Sequence, residues 1–187
     1  MRPTVRHPRR LIAADVLTAG CVPALIWPFG ARADNERLET AIKAAYLTKL
    51  GDFVQWPPDA IHLGSFNLCV VGAADVRDLL ERAAAGRTVQ THPIALMHLS
   101  TIDGAQNCQL LFVPLSPSND AIRAMEAARG STVLTVTDRQ SDPSRRGIIN
   151  FVIHDGRVRF EIDRRAAAVN HLTISSKLLD LAVDVQE

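Results

Sequence analysis

Apolar and polar positions divide the chain into alternating strand-like and helix-like stretches. Residues 66–72 and 108–114 are nearly continuous apolar runs, which is typical of strands buried on both faces of a sheet. Residues 133–138 are rich in β-branched side chains and predict a third strand. Residues 76–85 and 120–128 instead repeat apolar positions at helical spacing. Strand and helix therefore alternate as in a parallel sheet with right-handed crossovers.

The C-terminal third follows a different pattern. Residues 147–153 and 157–162 flank an Asp-Gly pair at 155–156, and the second of these segments alternates cleanly in polarity. This arrangement predicts a β-hairpin. A short helix over 164–169 and a final helix over 174–183 follow. We therefore predict a single α/β domain, in which a mostly parallel sheet is flanked by helices and ends in a C-terminal β-hairpin and helix.

An amphipathic helix is predicted over residues 36–50, and an aromatic stretch comes directly after it. Phe53 and Trp56 stand before a double proline that ends regular structure. The simpler interpretation makes Trp56 a core residue under this turn, because large aromatic side chains are usually buried. The alternative interpretation makes Phe53 and Trp56 part of a contact surface.

The first 33 residues have the pattern of an export signal. Four arginines without an acid precede a mostly apolar stretch, and Ala31-Arg32-Ala33 matches a signal-peptidase site. We expect cleavage before Asp34, which leaves a domain of residues 34–187. The alternatives are a retained membrane anchor, a twin-arginine leader at Arg9-Arg10, and a lipoprotein signal in which Cys21 is lipidated.

Charge and cysteine content narrow the class of protein. The chain has 21 basic and 20 acidic residues; without the leader's five basic residues and one acid, 16 and 19 remain, a net of −3. No basic stripe indicates nucleic-acid binding. Cys69 and Cys108 each belong to a predicted core strand of an exported chain. This placement predicts a disulfide between those strands.

Sequence signatures of catalysis are missing. The chain contains neither a Gly-x-Ser-x-Gly elbow nor a glycine-rich phosphate loop, and its histidines lack metal-ligand spacing. The polar loop over 138–146 is the remaining candidate for an enzyme site, although a solvated loop is the simpler interpretation. We therefore predict no catalytic residue, no metal and no cofactor, and a protein that is not an enzyme.

The ordered set of motifs resembles the YfiR family of periplasmic proteins. The matching segments are residues 43–47 with 53–57, 68–72, 108–112, 133–138, 147–151, and 159–163 with 172–179. The resemblance implies a small periplasmic α/β domain that binds the periplasmic sensor region of an inner-membrane diguanylate cyclase. Such a protein represses the cyclase, lowers cyclic di-GMP and restrains biofilm formation.

The resemblance also implies a homodimer and the disulfide between Cys69 and Cys108. A second family disulfide has no counterpart, because residues 144–151 contain no cysteine. A competing hypothesis is a periplasmic small-molecule-binding sensor, or an accessory protein of another signalling or transport system. A protein-contact function predicts exposed aromatic or aliphatic anchors rimmed by charge. The candidates are Phe53, Trp56, Arg159, Glu161 and Ile174, although the simpler interpretation makes Phe53, Trp56 and Ile174 core residues.

Overall fold

The computed structural model describes residues 29–61, 64–72, 74–100, 104–115 and 117–187. The predicted leader falls mostly on residues 1–28, which lie outside the described residues, as does Cys21. Cleavage before Asp34 therefore stays a prediction. The first helix begins at Phe29 rather than at the predicted Glu36 and is free of proline up to Leu50.

Ten strands and five α-helices make up the described part of the chain. The helices are α1 Phe29–Leu50, α2 Ala74–Ala84, α3 Asn119–Ala127, α4 Arg164–Val169 and α5 Ser176–Leu179. The strands are β1 Val54–Gln55, β2 Phe66–Val71, β3 Thr88–Val89, β4 His92–Leu99, β5 Leu110–Val113, β6 Leu134–Asp138, β7 Ile149–His154, β8 Arg157–Asp163, β9 Thr173–Ile174 and β10 Asp184–Gln186.

Eight strands form one sheet in the order β10-β8-β7-β6-β5-β2-β4-β3. Strands β4, β2, β5, β6 and β7 are parallel neighbours, and β10 joins β8 in parallel. The predicted hairpin is confirmed as the antiparallel β7–β8 pair, whose turn places Asp155 and Gly156 at positive φ. The predicted mostly parallel sheet with flanking helices and a C-terminal hairpin is therefore correct.

One face of the sheet packs against α1 and α2. Phe66, Phe112, Phe151 and Phe160 from the strands join Leu47 of α1 in one buried cluster. Tyr46 of α1 stacks edge-on to Phe160, with ring centroids 5.8 Å apart. The alternation of side chains along a strand explains this apolar face, since every second residue of β8 is buried.

The opposite face has two parts. At β2 and β5 it carries Cys69, Leu111 and Val113, and α3 covers these residues with alanines. At β6, β7 and β8 the paired positions are polar, and the loop over residues 139–146 covers them rather than a helix. We call this second part the polar face, defined by Thr135, Thr137, Asn150 and Glu161.

The C-terminal end differs from the predicted ten-residue helix. Only α5 is helical; it begins after Ser175, whose hydroxyl accepts a hydrogen bond from the Leu178 amide. Ile174 instead lies in β9 and pairs with Val54 of β1. Backbone pairing with β1 therefore overrides the helical pattern of this segment.

Candidate functional site

The predicted disulfide between Cys69 and Cys108 is confirmed. The two Cα atoms are 5.8 Å apart, and both side chains are buried. Cys69 stands in the middle of β2, and Cys108 comes just before the neighbouring strand β5. The bond therefore ties an interior strand of the sheet to the segment that enters the neighbouring strand.

Three of the predicted contact residues come together at the β1–β9 ribbon. The amide of Ser175 donates to the carbonyl of Phe53, at 2.9 Å, and Val54 pairs with Ile174. The Trp56 indole donates to the carbonyl of Gly51, and its ring stacks edge-on to Phe66 at 5.5 Å. Phe53 and Trp56 are half-buried, whereas Ile174 is buried in the core on the α1 side. Their role as contacts stays a prediction.

The other two predicted residues lie on β8, and their side chains face away from that core. Glu161 forms an ion pair with Arg146, at 3.0 Å, and accepts a hydrogen bond from the Asn150 amide, at 3.2 Å. Arg159 forms no ion pair or side-chain hydrogen bond within the part of the chain that the structure describes. The structure therefore does not join Arg159 and Glu161 to the β1–β9 group in one surface, and their contact role also stays a prediction.

An apolar groove between α1 and the β7–β8 hairpin was not predicted. Leu38 is 60% exposed, Ile42 37% and Ile153 41%, and together they line a cavity of about 490 Å³. Arg157 and Arg159 of β8 also border it, but the alternation of the strand turns their side chains to the opposite face of the sheet. Exposed apolar side chains that line one groove are typical of an interaction site. The sequence pattern assigned Leu38 and Ile42 to the buried face of the helix, so it gave no sign of this groove.

A buried cluster of charges lies beside the groove. Lys43 donates to Asp138, at 2.7 Å, and to Glu39, at 2.5 Å, and is only 5% exposed. Arg139 adds longer ion pairs to Glu39 and Asp138. These bonds fix α1 against the carboxyl end of β6. The simpler interpretation of the loop as solvated is therefore wrong at Asp138, which is 8% exposed.

The rest of the polar loop is organised by a short turn. Asp142 caps the turn over Pro143–Arg145, and its carboxylate accepts from the hydroxyl and the amide of Ser144, at 2.8 and 3.0 Å. These two hydrogen bonds, hydroxyl first, and then the nearby Arg145 lower the pKa of Asp142.

Neither a metal cluster nor a membrane-spanning helix occurs among the described residues. Among the described residues, no three His, Cys, Asp or Glu side chains are grouped so that they could hold a metal ion. The helices in the described ranges are all too short or too polar to cross a membrane.

Comparisons with known proteins give one family. A family model described as YfiR/HmsC-like matches residues 40–183. No curated protein matches the chain. Among solved structures, a conserved domain protein from Vibrio cholerae aligns at 13% identity with a TM-score of 0.43. The alignment covers 68% of this chain, which spans 57% of the length of that protein.

Proposed function

The chain belongs to the YfiR/HmsC-like family, and on that premise we propose that it is a periplasmic repressor of an inner-membrane diguanylate cyclase. It binds the periplasmic sensor region of the cyclase, lowers cyclic di-GMP and restrains biofilm formation. The family match over residues 40–183 is the observation that carries this proposal. The Cys69–Cys108 disulfide supports an oxidising compartment such as the periplasm, which the chain reaches through a cleaved leader.

The protein acts by contact rather than by turnover in this proposal. The groove between α1 and the hairpin offers Leu38, Ile42 and Ile153 as apolar anchors. Arg159, a predicted contact without a partner among the described residues, lies on the opposite face of β8 and offers a charge there. The groove is therefore our first candidate for the surface that holds the cyclase.

The remaining predicted contacts form a second, weaker candidate surface. Phe53 and Trp56 keep part of their rings exposed, and the buried Ile174 supports them from the neighbouring strand. Glu161 is bound to Arg146 and Asn150 within the chain, so a partner has to compete with those bonds. We retain a homodimer as part of the proposal, with neither surface assigned to it.

The decisive experiment measures cellular cyclic di-GMP after deletion of the gene. We expect a rise on deletion and a return to the original level with the wild-type gene. The Leu38→Asp variant should fail to restore repression, because a carboxylate in the groove opposes an apolar contact. Leu181→Asp is the matched control, since Leu181 is similarly exposed but lies outside the groove.

Circular dichroism of both purified variants checks that each one folds. An unchanged cyclic di-GMP level on deletion, in a strain that expresses and exports the protein, would reject repression. That result would leave the small-molecule sensor as the better hypothesis.

A further inference from the structure

The layer of helices is incomplete on the sheet face that carries α3. Between α3, the turn over Pro143–Arg145 and α4 lies a cavity of about 690 Å³. Thr135 and Ile148 are buried at its lining. Its volume falls within the range of about 300–1000 Å³ that is usual for small-molecule sites.

Four arginines line this cavity, and two of them are free. Arg146 is bound to Glu161 and to the carbonyl of Gln140, and Arg145 faces Asp142 at 3.6 Å. Arg129 and Arg165 form no ion pair and no side-chain hydrogen bond with any described residue. Both residues are exposed and line the same cavity, Arg129 from the turn after α3 and Arg165 from α4.

The acids of the lining do not pair with Arg129 or Arg165. Its two acids, Glu126 and Asp163, equal these two arginines in number. Asp163 is engaged at the start of α4, where it accepts from the Ala166 amide at 2.8 Å. The guanidinium groups of Arg129 and Arg165 are therefore free to bind a carboxylate or a phosphate with directed hydrogen bonds.

Apolar side chains form the rest of the wall. Ile122 and Met125 of α3 and Val169 of α4 line the same cavity as Arg129 and Arg165. We propose that this cavity binds a small organic anion, whose carboxylate or phosphate contacts Arg129 and Arg165 and whose apolar body packs on these three side chains. The proposal does not depend on the repressor function, since it concerns binding to this protein alone.

Methionine methyl groups give a direct test in the purified protein. The chain has three methionines, of which Met125 lines the cavity and Met97 lies on β4, outside it. We expect phenyl phosphate and benzoate to shift the Met125 methyl signal saturably in NMR spectra, and to leave Met97 unchanged. Inorganic phosphate and benzyl alcohol should each bind at least about tenfold more weakly, because each supplies only half of the contacts.

Paired substitutions separate the site from general charge effects. Arg129→Gln with Arg165→Gln should weaken phenyl phosphate binding at least about tenfold. Arg123→Gln with Arg157→Gln removes the same charge outside the cavity and should leave affinity within about twofold. An unshifted Met125, equal losses in both double variants, or a shift produced only by phosphatidylglycerol vesicles would overturn the proposal.

Discussion

At the β2–β5 end of the sheet, α3 packs onto a face that carries Cys69, Leu111 and Val113. At the β6–β8 end, the same face carries Thr135, Thr137, Asn150 and Glu161, and a loop takes the place of the helix. Burial of apolar area stabilises the first part and needs no particular partner. The second part is stable only when each buried polar group finds its own partner.

Asn150 shows how this requirement is met on the polar face. Its side-chain oxygen accepts from the Thr137 hydroxyl, at 2.9 Å, and from the Gln140 amide, at 3.1 Å. Its amide group donates to Glu161 and, at 3.4 Å, to the Gln140 carbonyl. One side chain therefore joins β6, β7, β8 and the loop over 139–146. In the apolar part of the face many contacts contribute to stability together, whereas in the polar part stability depends on single hydrogen-bonding atoms.

Removal of the disulfide, which lies in the apolar part of the sheet face, should have the largest effect on the free energy of unfolding. Replacing both Cys69 and Cys108 by alanine should lower the free energy of unfolding by about 4 kcal/mol, because the bond closes a loop with a sequence separation of 39. Urea denaturation of the wild-type protein and the double variant measures the difference. A reducing agent should destabilise the wild-type protein and leave the variant unaffected.

Thiol counting on the denatured, unreduced protein provides the control. The chain without its leader should show no free thiol, since Cys69 and Cys108 are its only cysteines. Two free thiols would contradict the bond, and the stability difference would then have to come from packing alone.

The Asn150→Ala variant tests the polar side. We expect its free energy of unfolding to fall by about 2–3 kcal/mol. The substitution leaves the Gln140 amide and the Thr137 hydroxyl without their acceptor, and buried groups without partners are costly. Val152→Ala is the matched control, since Val152 is the next residue of β7 on the same face and is only half-buried. The Val152→Ala substitution should lower the free energy of unfolding by about 1 kcal/mol or less. Equal losses in urea denaturation would show that the polar network adds nothing specific.

The apolar side could be predicted from the sequence, and the polar side could not. Strands β2 and β5 were found because burial on both faces demands an apolar run, and the hairpin because Asp155-Gly156 fits its turn. Asn150 gave no such signal, since its partners are set by strand register. Lys43 and Asp138, which bond across 95 positions, could not be paired from one sequence.

The candidate contact surface was only partly predictable for a related reason. Helical spacing in α1 identifies an apolar face but does not reveal how much of that face the sheet covers. Leu38 and Ile42 stay exposed in the groove beside the β7–β8 hairpin. At the other end, Ile174 was assigned to a helix, but pairing with Val54 makes it a strand residue. Both differences come from tertiary contacts.

The smallest expected effect is the pH dependence of the turn over Pro143–Arg145, which holds the loop over the polar face. The pKa of Asp142 is lowered from its ordinary value of 3.8, first by the Ser144 hydroxyl, then by the Ser144 amide and by Arg145. Because the folded-state pKa is the lower one, this contribution to stability is complete above the unfolded-state pKa. It is lost as the pH falls through the folded-state pKa. The turn should therefore hold at neutral pH and loosen only in strong acid.

Carbon-13 NMR titration of the Asp142 carboxyl group measures this directly. The wild-type midpoint should lie below 3.8, and Ser144→Ala should raise it, because the hydroxyl donor is the largest cause of the shift. Arg145→Gln serves as the control and should raise the midpoint less, since its guanidinium is 3.6 Å away and is the weakest of the three lowering causes. Equal midpoints in the wild-type protein and Ser144→Ala would show that the turn is not held by this hydrogen bond. The loop would then stay over the polar face through bonds that do not involve Asp142, such as those of Arg146 and Asn150 to the Gln140 carbonyl and that of the Arg139 amide to Phe151.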